Sequence, residues 1–320
     1  MPTPTPGRAI VISNGRCGST LLSDLIHSEP ETLSVQEFFM SVAPWSASGD
    51  VVDGAAYWRV LSSPKPEVAT LFRIGLPPKE LHYPAGGRWA GDMVELPRIL
   101  AITLSKISDD PDALFDVLAE RVPAFPVQSI AAHHRMFLDL LTELTGKRRW
   151  VERSGGSSNV TPYLLRGFPE ARIVYLTRDR EAIAKSMSRH PSFQLIQLRV
   201  EFIGRCGVDP FRMEPGATVP DDLAPYLPDR LTAARLRERG NDVRRYLGLC
   251  AFLTSQAEQA LEDSPPEHLL RMRYEELVAD PVGELERLGA FLQFDDPRSW
   301  ARQVAGRVVA PAPKTVPVAA

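Results

Sequence analysis

Short apolar runs alternate with longer segments of helical periodicity along most of the chain. The runs at residues 9–12, 149–152, 171–176 and 268–272 predict strands, because each is short and compact. Apolar residues recur at helical spacing at residues 19–27, 128–145, 158–166, 180–189, 231–261 and 282–292. This alternation predicts an α/β fold, with a central, mainly parallel sheet flanked by helices on both faces.

The same pattern predicts a single domain over residues 1–306, because no internal repeat and no low-complexity block interrupts it. Residues 43–121 are rich in Trp, Pro and Gly and predict a cap, in which Trp45, Trp58 and Trp89 are either core residues or a platform for a substrate. Residues 204–228 carry many Pro and Asp and predict a lid. Residues 307–320 form a Pro/Ala-rich tail that is either disordered or folded over a ligand.

Composition excludes several classes of protein. Of 320 residues, 44% are hydrophobic and 24% are charged, as in folded globular proteins, and the net charge of −3 argues against broad binding to nucleic acid or anionic membrane. Cys17, Cys206 and Cys250 show neither metal-site nor disulfide spacing, so we expect a reducing, cytoplasmic location. The N-terminus has no signal-peptide pattern, and no apolar run approaches the roughly 18 residues of a membrane span.

A loop with two glycines joins the first predicted strand to the first predicted helix and reads Ser13-Asn14-Gly15-Arg16-Cys17-Gly18-Ser19-Thr20. Gly15 and Gly18 allow the backbone N–H groups to approach one anion closely, at the positive end of the helix dipole. Arg16 can bind phosphate or sulfate oxygens, and Ser19 and Thr20 supply hydroxyl donors. The alternative is a tight turn with Ser19 as the N-cap. The loop lacks the lysine of a standard P-loop, which is replaced by Ser19.

A second candidate anion site follows the third predicted strand. Arg178 lies at the end of that strand, and Ser186 lies eight residues later on the next predicted helix, so both can hold one phosphate. The alternative is that Asp179 is the N-cap of this helix and that Arg178 and Arg180 are merely solvated.

Three segments in order resemble the family of sulfotransferases that use 3′-phosphoadenosine-5′-phosphosulfate (PAPS). Residues 13–21 are similar to its 5′-phosphosulfate loop, and residues 168–186 are similar to its 3′-phosphate element. Residues 273–292 are similar to its late strand-to-helix segment, which here begins Arg-Tyr-Glu-Glu-Leu. The resemblance extends from residue 10 to about residue 300 and implies a P-loop-like nucleotide-binding fold.

The chain departs from the family pattern at four places. Gly15 replaces the usual proline, Cys17 replaces a serine, and Arg153 replaces the common lysine after the second strand. The C-terminal Arg-Lys-Gly-x-x-Gly loop of animal cytosolic members is absent. These departures favour a bacterial-type or sugar/lipid-type branch over the cytosolic steroid/phenol branch.

The resemblance implies PAPS as the donor, a hydroxyl-bearing small molecule, sugar or lipid as the acceptor, and no metal. Residues 15–20 together with Arg178 and Ser186 would bind the donor. Arg16 would also stabilise the transferring group, assisted by Arg153.

The acceptor hydroxyl requires a base, which several bacterial and sugar-modifying members supply as a glutamate shortly after the first helix. Glu37 occupies that place, and we expect its aromatic neighbours to desolvate it and raise its pKa. The alternatives are that Glu37 caps a helix starting near Phe38, or that His133 or His134 is the base.

Two other functions are compatible with parts of the sequence. A P-loop-type kinase or NTPase shares the strand–loop–helix start, and Asp179 would then hold Mg²⁺. A non-catalytic nucleotide-binding protein of the same fold is the other alternative.

Overall fold

The computed structural model describes residues 7–42, 51–214 and 216–308. Its strands are β1 (Gly7–Ile12), β2 (Thr32–Gln36), β3 (Val51–Val52), β4 (Gln128–Ser129), β5 (Arg149–Arg153), β6 (Arg172–Thr177) and β7 (Leu269–Arg273). Its helices are α1 (Ser19–Ile26), α2 (Phe38–Val42), α3 (Gly54–Ser62), α4 (Pro66–Arg73), α5 (Thr103–Ile107), α6 (Pro111–Arg121), α7 (Ile130–Leu144), α8 (Thr161–Gly167), α9 (Arg180–Met187), α10 (Pro191–Cys206), α11 (Ala233–Gly240), α12 (Val243–Leu261), α13 (Tyr274–Ala279), α14 (Pro281–Phe291) and α15 (Pro297–Val304).

Five strands form one parallel sheet in the order β2-β5-β1-β6-β7. β1 lies at the centre, where Ala9 pairs with Val151 on one side and with Arg172 on the other. β3 and β4 form a separate two-stranded antiparallel ribbon. The predicted α/β class with a parallel sheet is confirmed. All five strands run the same way, so their carboxyl ends and the loops that follow them meet at one edge.

Alternate residues of β1 enter two different cores, one on each face of the sheet. Ile10 and Ile12 pack into the core that contains Trp150. Ala9 and Val11 pack into the core that contains α1 and the last helices of the described chain. The central strand is therefore buried on both faces, which explains why it reads as an unbroken apolar run.

The edge strand β2 is not among the predicted strands, because polar residues interrupt it. These residues are nevertheless buried, since each finds a partner in the structure. The Ser34 hydroxyl is 2.8 Å from that of Ser23, and Gln36 Nε2 donates to Asp24 Oδ1 at 3.0 Å. A hydrophobicity pattern cannot predict this strand, because its polar residues are buried only through tertiary contacts with their partners.

The structure corrects one helical prediction and adds a helix that was not predicted. The helix predicted over residues 231–261 is divided into α11 and α12, because Asp242 is the N-cap of α12 and its side chain accepts a hydrogen bond from the Arg244 amide. The 16-residue helix α10 was not predicted. It begins at Pro191, a favourable first residue for a helix.

The described part of the predicted cap, residues 51–121, contains β3, four short helices and a long irregular segment over residues 74–102. Trp58 and Trp89 pack against the core and against Phe115, which favours a structural role for both. Trp45 and the tail after residue 308 lie outside the described residues. The predicted lid at residues 204–228 is irregular after α10 ends, apart from one 3₁₀ turn at Ala224–Tyr226, as far as it is described. The cap, the lid and the tail as functional units stay predictions.

Among the helices that the structure describes, none combines the length and the apolar character that a bilayer crossing requires.

Candidate functional site

The loop between β1 and α1 has a left-handed backbone. The φ angle is +78° at Gly15, +58° at Arg16 and +85° at Gly18. Both glycines are also required sterically, because a Cβ at Gly15 would lie 2.6 Å from Cζ of Phe193 and one at Gly18 would overlap the ring of Tyr274. The loop can therefore hold this shape only with glycine at these two positions.

The side chains of the loop divide into an inner and an outer set. Cys17 packs in the core beside α1, and burial raises the pKa of its thiol. Ser19 is also buried, whereas Thr20 is exposed. The N-cap of α1 is Gly18, so the alternative of a turn capped by Ser19 is wrong. Any contact of Cys17 with an anion would have to come from its backbone, while Arg16 and Thr20 face outward.

Arg16 joins the two segments that the sequence analysis singled out as anion sites. Its Nε donates to the Ser186 hydroxyl at 3.1 Å. Its carbonyl oxygen accepts from Nη1 of Arg178 at 3.2 Å. The structure thus brings Arg16, Arg178 and Ser186 into direct contact, although Arg16 and Arg178 are 162 residues apart in sequence.

The third family-like segment braces Arg178. The guanidinium carbon of Arg178 lies 4.5 Å from the centre of the Tyr274 ring, which also lies against Gly18. Glu275 Oε1 accepts from the backbone N–H of Asp179 at 2.9 Å. Asp179 is itself the N-cap of α9, as one alternative predicted, but Arg178 is not merely solvated.

Glu37 follows β2 in a left-handed conformation, with φ at +58°. Its carboxylate accepts a hydrogen bond from Nη1 of Arg153 and two of 3.1 Å from the Gly155 amide. Nη2 of Arg153 donates to Gln36 Oε1 at 2.7 Å. Arg153 is almost completely buried and is committed to Glu37 and Gln36, so the structure gives it the role of holding Glu37.

The side chain of Glu37 does not cap α2. The Phe39 amide instead donates to Glu152 Oε1 at 3.2 Å. The neighbouring Phe38 and Phe39 are fully buried in the core. The polar contacts that the structure shows for the Glu37 carboxylate are with Arg153 and Gly155, and its desolvation by the two rings stays a prediction.

Glu152 is a buried carboxyl group next to this pair. Burial raises its pKa to about 8, against the hydrogen bonds from Ser154 and the Phe39 amide, which act in the opposite direction. Its Oε2 has no hydrogen-bond partner among the described residues. Glu152 holds the start of α2, and through it the backbone of Glu37.

The loop that follows β5 connects Glu37 to the first loop. The Gly156 amide donates to the Ser13 carbonyl at 3.1 Å, and the Ser13 amide donates to Ser157 Oγ at 3.1 Å. A Cβ at Gly155 would lie 3.3 Å from Glu37 Oε1 and 3.8 Å from the Cα of Gly15. Gly155 is therefore the one residue that lies between the Glu37 carboxylate and the loop joining β1 to α1.

The alternative bases His133 and His134 lie in the core. The ring of His133 stacks on Tyr57 at 4.6 Å, and its Nε2 is 2.8 Å from the Val52 carbonyl. His134 Nδ1 is 2.8 Å from the Tyr57 hydroxyl, and burial, together with the charge of His133, lowers the pKa of His134 to about 3. Their surroundings are those of structural histidines.

Two residues of the site were not predicted from the sequence. Glu80 Oε1 lies 3.1 Å from Nη1 of Arg16 and 2.9 Å from Nε2 of His190. Burial opposes the charge of Glu80, but the bond to His190 and the charges of His190 and Arg16 prevail and lower the pKa of Glu80 to about 2. The position of His190, four residues after Ser186, was a signal that could have been read. Glu80 lies in the irregular cap segment, where no sequence pattern indicates a role for it.

No group of three or more His, Cys, Asp or Glu side chains in the described part of the chain is arranged to hold a metal ion. Asp179, which would hold Mg²⁺ in a kinase, accepts a hydrogen bond from the Ala182 amide at 2.8 Å as an N-cap.

Comparison with known proteins gives matches among solved structures. No family model and no curated protein matches the chain. The sulfotransferase domain from the curacin biosynthetic pathway is 18% identical, with a TM-score of 0.46, over 91% of this chain and 75% of its own. Sulfotransferase STF9 from Mycobacterium avium is 14% identical, with a TM-score of 0.46, over 95% and 69%. The sulfotransferase domain from the Synechococcus PCC 7002 olefin synthase is 15% identical, with a TM-score of 0.43, over 92% and 75%.

Proposed function

We propose that this chain is a PAPS-dependent sulfotransferase, which transfers a sulfuryl group from PAPS to a hydroxyl of a small-molecule, sugar or lipid acceptor. The observation that carries the proposal is the meeting of Arg16, Arg178 and Ser186 at the carboxyl edge of the sheet. A nucleotide with phosphates at both its 5′ and 3′ positions needs two anion sites that adjoin each other, and these residues supply them.

The donor side would use the backbone and side chains of both segments. The loop over residues 15–20 and the positive end of α1 suit the 5′-phosphosulfate, while Arg178 and Ser186 suit the 3′-phosphate. Two guanidinium groups beside backbone N–H groups provide the positive charge that a metal ion provides in a kinase. We therefore expect an enzyme that requires no metal, and its three free cysteines favour a reducing, cytoplasmic location.

The acceptor side would use Glu37. The acceptor oxygen attacks the sulfur atom, the bond between sulfur and the 5′-phosphate oxygen breaks, and Glu37 takes the hydroxyl proton. Arg153 and the Gly155 amide hold the Glu37 carboxylate in place, one residue away from the loop that would bind the phosphosulfate. Arg16 would stabilise the charge on the transferring group and on the departing phosphate.

The donor class is tested by calorimetry of the purified protein with adenosine 3′,5′-bisphosphate, the product left after transfer, and with ATP. We expect the bisphosphate to bind more tightly and its affinity to be independent of Mg²⁺. Preferential, magnesium-dependent binding of ATP would instead favour a kinase or NTPase. Bisphosphate binding with no PAPS turnover in a panel of hydroxyl acceptors would favour a non-catalytic nucleotide-binding protein.

Arg178→Ala tests the proposed 3′-phosphate contact. The affinity for the bisphosphate should fall by about 10- to 100-fold, because one charge-assisted contact is worth about 1.5–3 kcal/mol. The control is Arg189→Ala, which removes an exposed arginine just after the same helix. Equal affinities of the Arg178→Ala variant and the parent would show that the 3′-phosphate is held elsewhere.

A further inference from the structure

The carboxylate of Glu80 contacts Arg16, and the imidazole of His190 contacts Glu80. Both residues lie outside the segments that resemble the sulfotransferase family. Glu80 Oε1 is 3.1 Å from Nη1 of Arg16, and the same oxygen is 2.9 Å from Nε2 of His190. His190 and Glu80 come from distant segments, since His190 precedes α10 and Glu80 belongs to the irregular segment of the cap. Nothing in the proposed chemistry so far uses either residue.

The imidazole of His190 is fixed by its surroundings. It is 3% exposed, and its ring meets the ring of Phe193 edge to face at 5.6 Å. Phe193 in turn lies against Gly15, where it leaves no space for a Cβ. Nδ1 of His190 is buried and has no hydrogen-bond partner among the described residues, so Glu80 is the one polar contact that the structure shows for this ring. His190 therefore has a defined direction, and it holds the carboxylate of Glu80.

Arg16 is held at three points by these contacts. Its carbonyl oxygen is bound by Arg178, its Nε donates to Ser186, and its Nη1 donates to Glu80. A guanidinium group is planar, so two fixed nitrogens also fix the direction of the third. The third nitrogen, Nη2, has no protein partner among the described residues, and the side chain is 30% exposed. One N–H pair of Arg16 is thus held in a fixed direction and has no partner among the described residues.

We propose that Glu80 and His190 are positioning residues that direct Nη2 of Arg16 at the sulfuryl group of the donor. The inference rests on the proposed function. In a transfer to a hydroxyl, the sulfur atom must lie between the base and the donor phosphate. Gly155 lies between Glu37 and Gly15, and Arg16 follows Gly15 in the loop. Arg153 is already bound to Glu37 and Gln36, so Arg16 is the arginine of the loop that still has an N–H pair for the donor.

The charge of Glu80 makes the proposal distinguishable from simple anion binding. A carboxylate beside Arg16 weakens the attraction of this arginine for any anion, the 5′-phosphate included. Glu80 therefore does not add donor affinity in general. Glu80 instead fixes the orientation of the Arg16 guanidinium. Its effect on affinity should therefore appear only with a ligand that carries the sulfuryl group.

The test compares the affinities of two ligands, PAPS and adenosine 3′,5′-bisphosphate, for the full chain by calorimetry. The variants are Glu80→Gln, His190→Leu and the combination of both, with thermal unfolding as the check of folding. The matched control is Asp116→Asn, which breaks an arginine–carboxylate pair with Arg88 on the exposed side of the same cap. His190→Gln is a conservative variant, because its amide can still donate to Glu80.

Glu80→Gln and His190→Leu should each lower the affinity for PAPS relative to the bisphosphate by roughly 10-fold, the order expected when one charge-assisted hydrogen bond is misdirected. The double variant should lose no more than either single variant, because both act through Arg16. His190→Gln should restore part of the loss, and Asp116→Asn should change nothing.

Three results would overturn the proposal. An unchanged ratio of the two affinities means that Glu80 does not direct Arg16. Tighter binding of both ligands by the same factor in Glu80→Gln means that Glu80 merely competes with the donor. Weaker binding of both by the same factor, with a lowered unfolding temperature, means that the pair is structural. Failure of the proposed function itself has a different signature, since the parent protein would then bind neither ligand, or would bind them without consuming PAPS in the presence of hydroxyl acceptors.

Discussion

Two arginine–carboxylate pairs lie at the same edge of the sheet and are built in opposite ways. Arg153 and Glu37 come from the ends of neighbouring strands, and their side chains are 3% and 15% exposed. Arg16 and Glu80 come from a loop and from an irregular part of the cap, and their side chains are 30% and 23% exposed. Arg153 uses both Nη atoms on Glu37 and Gln36, whereas Nη2 of Arg16 has no partner in the part of the chain that the structure describes.

The difference indicates a division of labour between the two arginines. The buried guanidinium of Arg153 donates from Nη1 to Glu37 and from Nη2 to Gln36, while its Nε has no partner among the described residues, so its main role is to hold the Glu37 carboxylate in place. The guanidinium of Arg16 is partly exposed and can donate hydrogen bonds to a ligand, so in our proposal Glu80 positions Arg16. In the proposed reaction the working group is the carboxylate of the first pair and the arginine of the second.

The largest expected effect is on the carboxylate of the first pair. Glu37→Gln should slow PAPS consumption with a productive hydroxyl acceptor by about 10²- to 10⁴-fold, because the amide cannot take the proton. The affinity for the bisphosphate should stay within about threefold of the parent value, since Glu37 contributes to the acceptor side. A variant with normal turnover would remove Glu37 as the base.

The second expected effect separates the two arginines by stability. Arg153→Met should cost about 3 kcal/mol or more in the free energy of unfolding, because it leaves the Glu37 carboxylate without its cation in a largely buried setting. Arg16→Met should cost less than about 1 kcal/mol, because its pair with Glu80 is more exposed. Urea unfolding of both variants checks the contrast, and equal costs would contradict it.

The smallest expected effect concerns Glu152, which binds the Phe39 amide next to the first pair. Its pKa is raised to about 8 in the folded protein, from an ordinary value near 4.5. The folded state then holds a proton that the unfolded state has lost, so this group makes stability fall as the pH rises from about 4.5 to about 8. The lowered pKa of Glu80 acts only below that window, where its contribution is lost as the pH falls toward about 2.

Glu152→Gln should remove this dependence. We expect the variant to lose about 1–3 kcal/mol less stability than the parent between pH 5 and pH 8, measured by urea unfolding at both values. Identical pH profiles of the two proteins would mean that Glu152 is ionised in the folded state.

Much of the sheet and one half of the site could be predicted from the sequence. The apolar runs identified β1, β5, β6 and β7. β1 and β6 are the clearest of these, because their consecutive buried residues are apolar, whereas β5 contains the buried Glu152 and β7 alternates buried apolar residues with exposed arginines. The residues that meet in the structure were identified from the glycines at 15 and 18 and from the spacing of Arg178 and Ser186. This was possible because a glycine turn and the end of a strand each depend on a few consecutive residues.

The remaining features depend on contacts between distant segments, which no local pattern contains. β2 is a strand because Ser34 and Gln36 find partners on α1, and its polar residues conceal this in the sequence. The sequence alone selected Arg16 and Glu37. Only the tertiary structure decided that Arg153 is committed to Glu37 and that Glu80, 64 residues away from Arg16, holds the other guanidinium, because hydrogen-bond partners are set by packing in space.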